Sequence, residues 1–179
     1  MTNKAQQRKI LKERLASLPQ EDACVFSRTI AEKILSEPLF SAARSIFIYR
    51  SMPTEPNTEP IIQRALALGK EVYLPRIDGE NMFMVRYRTG ERMLLNRYGI
   101  EEPQGEPYLG QVDLALIPLL GFDRNKSRLG RGKGYYDRFL ASFGGESVAL
   151  AFSVQELDEI ACDALDRKPN RIITEKETI

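Results

Sequence analysis

The sequence predicts an α/β sandwich with a mainly parallel sheet, on three observations. Short apolar runs recur along the chain, stretches with helical periodicity separate them, and Gly and Pro punctuate the junctions. Lys4 to Leu18 reads as a helix, with Leu11, Leu15 and Leu18 on one stripe. Lys4 and Arg8 extend that stripe toward the N-terminus, which points two cations at the body of the protein. Pro19 ends this helix, and a second is expected from Asp22 to Ser36, with Phe26, Ile30 and Ile34 inward and Pro38 beyond its end.

Strands and helices then alternate. Ser45 to Tyr49 reads as a buried strand, followed by the Pro-rich loop Ser51-Met-Pro-Thr-Glu-Pro-Asn57. Glu59 to Leu68 is a short helix closed by Gly69, and Glu71 to Leu74 is a strand stopped by Pro75. After the Asp78-Gly79 turn, Met82 to Tyr87 alternates like a hairpin strand, whereas 89–111 is rich in Gly, Pro and Glu and reads as irregular. Val112 to Ile117, Val148 to Phe152 and Arg171 to Thr174 complete the strand set. Repeated strand–helix units of this kind predict a single-domain three-layer α/β/α sandwich over residues 1–179, with a mainly parallel, Rossmann-like sheet. In such folds ligands gather beyond the carboxyl ends of the strands, where the loops at 50–58 and 121–134 should lie.

Composition narrows the chemistry. A chain of 179 residues that is 42% hydrophobic is large enough for one proper core. A net charge of +1 gives no general reason to expect nucleic-acid or membrane-surface binding, and no apolar run approaches the roughly 20 residues of a membrane span. Met1 to Leu18 is charged throughout and lacks the apolar centre of a signal peptide. Cys24 and Cys162 are too few and too far apart for a disulfide framework or a structural zinc site. A soluble, cytoplasmic monomer is therefore expected. The chain contains no histidine, which excludes Ser-His-Asp and Cys-His nucleophile systems and every metal site that needs imidazole. Phosphoryl transfer suits what remains, because it depends mostly on positioning and charge neutralisation.

The segment Arg128-Leu-Gly-Arg-Gly-Lys-Gly-Tyr-Tyr-Asp137 concentrates that chemistry. Gly130, Gly132 and Gly134 let backbone approach a ligand closely, while Arg128, Arg131 and Lys133 supply charge for phosphate oxygens. The segment follows an apolar run and opens into a helix-like stretch, a combination that makes an anion site. It is not a P-loop, since Gly134 follows Lys133 where Ser or Thr is required, and its glycine spacing is not that of a dinucleotide fingerprint. By pattern alone it reads as a phosphate cradle, with a surface turn bearing solvated cations as the other reading.

This segment, preceded by Pro118-Leu-Leu-Gly-Phe-Asp123, closely resembles the signature of the 5-formyltetrahydrofolate cyclo-ligase family. The resemblance spans nearly the whole chain. It includes Lys4-x-x-x-Arg8, Tyr49-x-Ser51-x-x-x-Glu55-x-x-Thr58, Gly69-Lys-x-Val-x-Leu-Pro75 and Gly99-Ile-x-Glu-Pro103, then Asp163 followed by Ile172-Ile-Thr174. It implies an enzyme that uses ATP and Mg²⁺ to convert 5-formyltetrahydrofolate to 5,10-methenyltetrahydrofolate, ADP and phosphate. Lys4 and Arg8 would contact ATP phosphates, and Arg128, Gly130, Arg131, Gly132, Lys133, Gly134, Tyr135 and Tyr136 would hold the nucleotide. Arg131 and Lys133 would be the principal electrostatic catalysts, with Arg131 and Tyr135 also near the folate. Arg50, Met52, Glu55 and Tyr98 would line the folate pocket, with Glu55 on the pterin or its reacting edge. Asp137 and Asp163 would bind Mg²⁺. Without the resemblance, Asp163 reads as a loop-capping carboxylate and Tyr98 as a core or surface tyrosine. The chain departs from the family pattern at Lys126, often Gly, at Asn57, often Asp, and at Cys162, commonly His, Asn or Trp. Rival readings are a non-catalytic nucleotide- or folate-binding relative, a sugar-phosphate isomerase on a similar scaffold, and a nucleic-acid-binding module.

Overall fold

A computed structural model describes residues 3–179; Met1 and Thr2, the start of the charged N-terminal segment, lie outside the described residues. Three helices come first: α1 (Lys4–Ala16), α2 (Gln20–Ser36) and α3 (Pro38–Ala42). Asn3 starts α1 through a reciprocal capping box with Gln6, which satisfies two otherwise free backbone donors. Pro38, expected only to end the second helix, also begins α3, where its fixed φ suits the first helical turn.

The chain then runs through β1 (Ser45–Ile48), α4 (Glu59–Ala67), β2 (Glu71–Asp78) and β3 (Asn81–Tyr87). Gly69 closes α4 with φ +72°; its N–H bonds to Leu66 and that of Lys70 to Ala65, a Schellman ending. Short strands β4 (Met93–Leu95), β5 (Glu101–Pro103) and β6 (Pro107–Tyr108) follow, and then β7 (Leu114–Pro118), β8 (Gly121–Phe122) and β9 (Arg128–Leu129). Helix α5 (Tyr135–Ser142), β10 (Glu146–Leu150) and β11 (Arg171–Ile173) complete the chain.

Two expectations are corrected. β2 continues through Pro75 to Asp78, because β1 pairs with it only as far as Tyr73. Beyond that point β2 is an edge on one side, where a residue lacking N–H is tolerated. The segment 89–111 is not irregular: β4 and β5 form a small hairpin, and β6 adds to the main sheet beside β3.

The seven-stranded sheet has the order β11-β10-β7-β1-β2-β3-β6. Its first five strands are mutually parallel, and β3 and β6 are antiparallel additions. Strand alternation divides the core into two layers. Ile46, Ile48, Leu114, Leu116, Val148 and Leu150 pack with residues of α1, α2 and α4 on one face. Phe47, Tyr73, Ala115, Ile117 and Ala149 pack under Tyr136, Phe139 and Leu140 of α5 on the other. Phe47 is fully buried, with its ring 4.8 Å from that of Phe139, and truncating it to alanine is expected to cost about 3–5 kcal/mol. This is the expected α/β/α sandwich. Among the described residues no helix is long and apolar enough to cross a membrane.

Candidate active site

From β1 the chain moves first to β2 on one side, then returns to place β7 on the other. The carboxyl ends of β1 and β7 therefore diverge into loops on either side of a crevice, the usual position for a ligand in an open parallel sheet. One loop runs from Tyr49 to Thr58, the other from Leu119 to Gly134.

Each loop is fixed by buried polar contacts. Thr58, fully buried, donates its hydroxyl to Tyr49 O at 2.7 Å, and Asn57 N–H donates to Ser27 Oγ of α2 at 3.1 Å. In the second loop Asp123 accepts from Asn125 N and Ser127 N through Oδ1, and from Ile160 N through Oδ2. Lys126 takes φ +61° in this turn, so it keeps the left-handed backbone that a glycine would adopt without strain. Gly134 (φ +69°) turns the loop into α5, and Gly132 (φ +104°) lies under the Arg8 guanidinium, 3.4 Å from where a Cβ would stand.

The loops enclose a cavity of about 340 Å³. Its lining includes Arg50, Met52, Glu55, Tyr98, Arg128, Gly130, Arg131, Lys133, Gly134, Tyr135, Tyr136 and Asp137. Lys4, Arg8, Gly132 and Asp163 lie outside this lining. Arg8 Nε donates to Gly130 O at 3.0 Å, while Lys4 is engaged by Asp163 at 2.7 Å and Asp166 at 2.6 Å. Burial pulls the Lys4 pKa down, but hydrogen bonds to Asp163 and Asp166 outweigh it and hold the ammonium above its usual value. The same contact holds Asp163 below the usual carboxylate range, helped by Leu165 N–H. Asp137 touches both regions: its Oδ1 accepts from Arg128 Nη2 at 2.8 Å inside and from Arg167 N at 3.2 Å outside.

The three cations of the glycine loop have different surroundings. Arg128, with a side chain 2% exposed, is paired to Asp137 and also donates to Pro118 O. Arg131 grips Glu55 Oε1 with both Nε (3.1 Å) and Nη2 (3.0 Å), joining the two loops. Lys133 makes no hydrogen bond or ion pair with any described residue and borders the cavity exposed. Glu55 is buried, which pushes its carboxyl pKa up, against the opposing effects of Arg131 and Met52 N–H. Burial, reinforced by the Glu55 charge, also raises the pKa values of Tyr49 and Tyr136, so both phenols stay protonated.

Several residues of this region were not anticipated. Gln7, buried in α1, donates to Glu159 O and accepts from Ala161 N, docking the helix on the loop before Asp163. Gln155 donates to Leu119 O and Leu120 O, supporting the start of the second loop. Glu102 and Asn96 line the cavity from the β4–β5 hairpin, and the Arg97 guanidinium lies over the Tyr98 ring at 4.9 Å. The only signal available for Gln7 was its place beside Arg8 on the inward stripe. The Gly99-Ile-x-Glu-Pro103 pattern marked Glu102 without indicating a role.

Comparison with known proteins places the chain among named relatives. The chain is 33% identical over 183 residues to 5-formyltetrahydrofolate cyclo-ligase of Mus musculus, covering 92% of this chain and 90% of the relative. It is 25% identical over 175 residues to the Escherichia coli K12 enzyme of that name, covering 92% and 96%. The solution structure of Aquifex aeolicus 5,10-methenyltetrahydrofolate synthetase superposes with a TM-score of 0.87 at 30% identity, covering 98% of this chain and 91% of that one. A Mycoplasma pneumoniae 5,10-methenyltetrahydrofolate synthetase shares the fold with a TM-score of 0.75 at 21% identity, covering 97% and 99%. With the family model matching residues 1–175, the chain belongs to the 5-formyltetrahydrofolate cyclo-ligase family.

Proposed function

We propose that this chain cyclises 5-formyltetrahydrofolate to 5,10-methenyltetrahydrofolate with ATP and Mg²⁺, releasing ADP and phosphate. The observation that carries the reading is the cavity itself, whose lining combines a glycine loop, with a lysine that has no partner among the described residues, and the apolar side chains of Met52, Ile77, Met82 and Ile100. The apolar side chains suit a flat heterocycle and the glycine loop a phosphate.

The chemistry needs no protein nucleophile. A formamide oxygen is a poor leaving group, so transfer of the γ-phosphoryl group to that oxygen activates the carbon. The folate N10 then attacks within the same molecule, and loss of phosphate closes the ring. Holding both ends of one substrate replaces much of the need for covalent catalysis. Lys133, free of internal partners, is the cation placed to meet oxygens of the phosphoryl group in transfer, with Arg131 beside it. Glu55, held by Arg131, faces the reacting edge of the folate, while Tyr49 and Tyr136 remain phenol donors and exclude water. Lys4 and Arg8 flank the loop from α1 and would hold ATP phosphates, Lys4 by leaving its carboxylate partners.

The donor set at Asp137 fits Mg²⁺. Its Oδ2 makes no hydrogen bond to a described residue, and it borders the cavity. Mg²⁺ uses one or two carboxylates, with phosphates and water supplying the rest, and its charge offsets that of the phosphates. No group of three or more Asp, Glu or Cys residues able to hold a metal occurs among the described residues, so the phosphates are needed to complete the site. Asp163, whose two oxygens already meet Lys4 and Leu165 N–H, joins it only when Lys4 moves. The test is incubation of purified protein with 5-formyltetrahydrofolate, ATP and Mg²⁺, following the near-UV absorbance of the methenyl product. Absence of an ATP-dependent signal from folded protein overturns the reading.

A further inference from the structure

Three carboxylates line the cavity, and they differ in what they can still bind. Asp137 is paired with the Arg128 guanidinium. Glu55 is neutralised by the Arg131 guanidinium, and its second oxygen accepts from Met52 N–H. Among the described residues Glu102, on β5, has no cation partner. It is 6% exposed, and its Oε1 accepts from Ile77 N at 3.1 Å and Asn96 Nδ2 at 2.7 Å. Its Oε2 makes no hydrogen bond to a described residue. That oxygen is not sealed in the protein either, since the buried, unpartnered side-chain atoms among the described residues are Arg50 Nε and Arg128 Nε. Glu102 Oε2 therefore opens on the cavity, as a carboxylate oxygen in need of donors.

Its surroundings indicate which donors. Ile77, Met82, Ile100 and Tyr98 share the lining with it, and the nearby cations are engaged elsewhere, Arg50 by Glu101 and Glu59 and Arg97 over the Tyr98 ring. A phosphate would be repelled by a carboxylate that no cation neutralises. A flat heterocycle carrying N–H groups on one edge satisfies both the apolar wall and the carboxylate. The Asn96 side chain holds the acceptor still: it donates to Glu102, while its own oxygen accepts from Tyr98 N and Ile100 N.

We propose that Glu102 is the specificity-determining residue for the pterin ring, accepting from its 2-amino and N3–H groups. The assignment rests on the folate cyclo-ligase reading above. It leaves Glu55 and Arg131 for the reacting edge.

The test is Glu102→Gln, which keeps an oxygen for Ile77 N and Asn96 but turns a donor toward the ring's donors. The KM for 5-formyltetrahydrofolate should rise roughly ten- to hundredfold, the range for losing a charged acceptor from a ligand, while the KM for ATP stays unchanged. A purely structural role would move both constants or the melting temperature. A substrate analogue lacking the 2-amino group should carry a penalty of similar size in the wild type and none in Glu102→Gln. Glu102→Asp, which retains the charge but withdraws the oxygen by one methylene, should raise the folate KM in the same direction and serves where the glutamine variant does not fold. An active wild-type enzyme whose folate KM is unaltered in both variants, or whose analogue penalty is abolished by Glu55→Gln instead, overturns the assignment. An inactive wild type removes the cyclo-ligase reading first.

Discussion

Replacing Arg131 with alanine tests the ion pair that joins the two walls of the cavity. The Glu55 side chain is 5% exposed, and Oε1 accepts both guanidinium bonds. After the change only Met52 N–H, on Oε2, would remain. Removing one partner of a fully buried pair costs about 3–5 kcal/mol, but the Arg131 side chain is 35% exposed, so solvent screening lowers the expectation to about 1–3 kcal/mol. In a chain of this length about 2 kcal/mol corresponds to a drop of roughly 4–8 °C in Tm. The pH dependence has a definite sign. Burial already holds the folded Glu55 carboxyl above its ordinary 4.5, so the folded state binds more protons than the unfolded one. The stability linked to this group is fully present below the unfolded value and is lost as pH rises through the folded one. Without Arg131 the folded pKa climbs further, so the deficit of the variant opens above the ordinary value of 4.5 and grows with pH. Thermal melts of both proteins between about pH 5 and pH 8, with and without Glu55→Gln, measure this directly. The deficit should increase with pH and shrink in the Glu55→Gln background. A deficit that is constant with pH, or undiminished without the Glu55 charge, refutes the electrostatic account.

Three further outcomes are expected. Lys133→Ala removes a side chain with no internal partner, so stability should change by less than about 0.5 kcal/mol while turnover falls roughly 10²- to 10³-fold; near-normal turnover in folded protein contradicts its role. Asp137→Asn leaves the buried Arg128 guanidinium without a counter-charge and should cost about 1–3 kcal/mol, with turnover shifted to higher Mg²⁺ concentrations; an unchanged Mg²⁺ titration argues against ligation. Gly134→Ala puts a side chain at φ +69° and should destabilise the protein by about 1–2 kcal/mol in urea melts while raising the KM for ATP; an unchanged KM would separate this turn from nucleotide binding.

The fold was largely legible because its signals are local. Short apolar runs located the five parallel strands, helical periodicity located the helices over them, and the glycine-rich run placed α5 after β7. What escaped was set by partners distant in sequence. Pro75 reads as a strand terminator until the edge left by the end of β1 is known. The strands within 89–111 are only two or three residues long and take their identity from pairing with one another and with β3.

Within the site the same division holds, and it separates charge from geometry. Arg128, Arg131 and Lys133 look equivalent in the sequence, as three cations within six positions. The fold distinguishes them by giving Asp137 to the first, Glu55 to the second and, among the described residues, nothing to the third. Glu55 lies 76 residues from Arg131, and no local pattern could pair them. Glu102 and Gln7 illustrate the complementary case, polar residues whose significance comes from burial alone. Gln7 bridges 152 residues to reach Glu159, and in doing so brings Lys4 and Arg8 to the edge of a loop formed at the other end of the chain. A motif can therefore list the charges available for phosphoryl transfer, but which of them remains free to perform it is decided by buried pairings that only the folded chain contains.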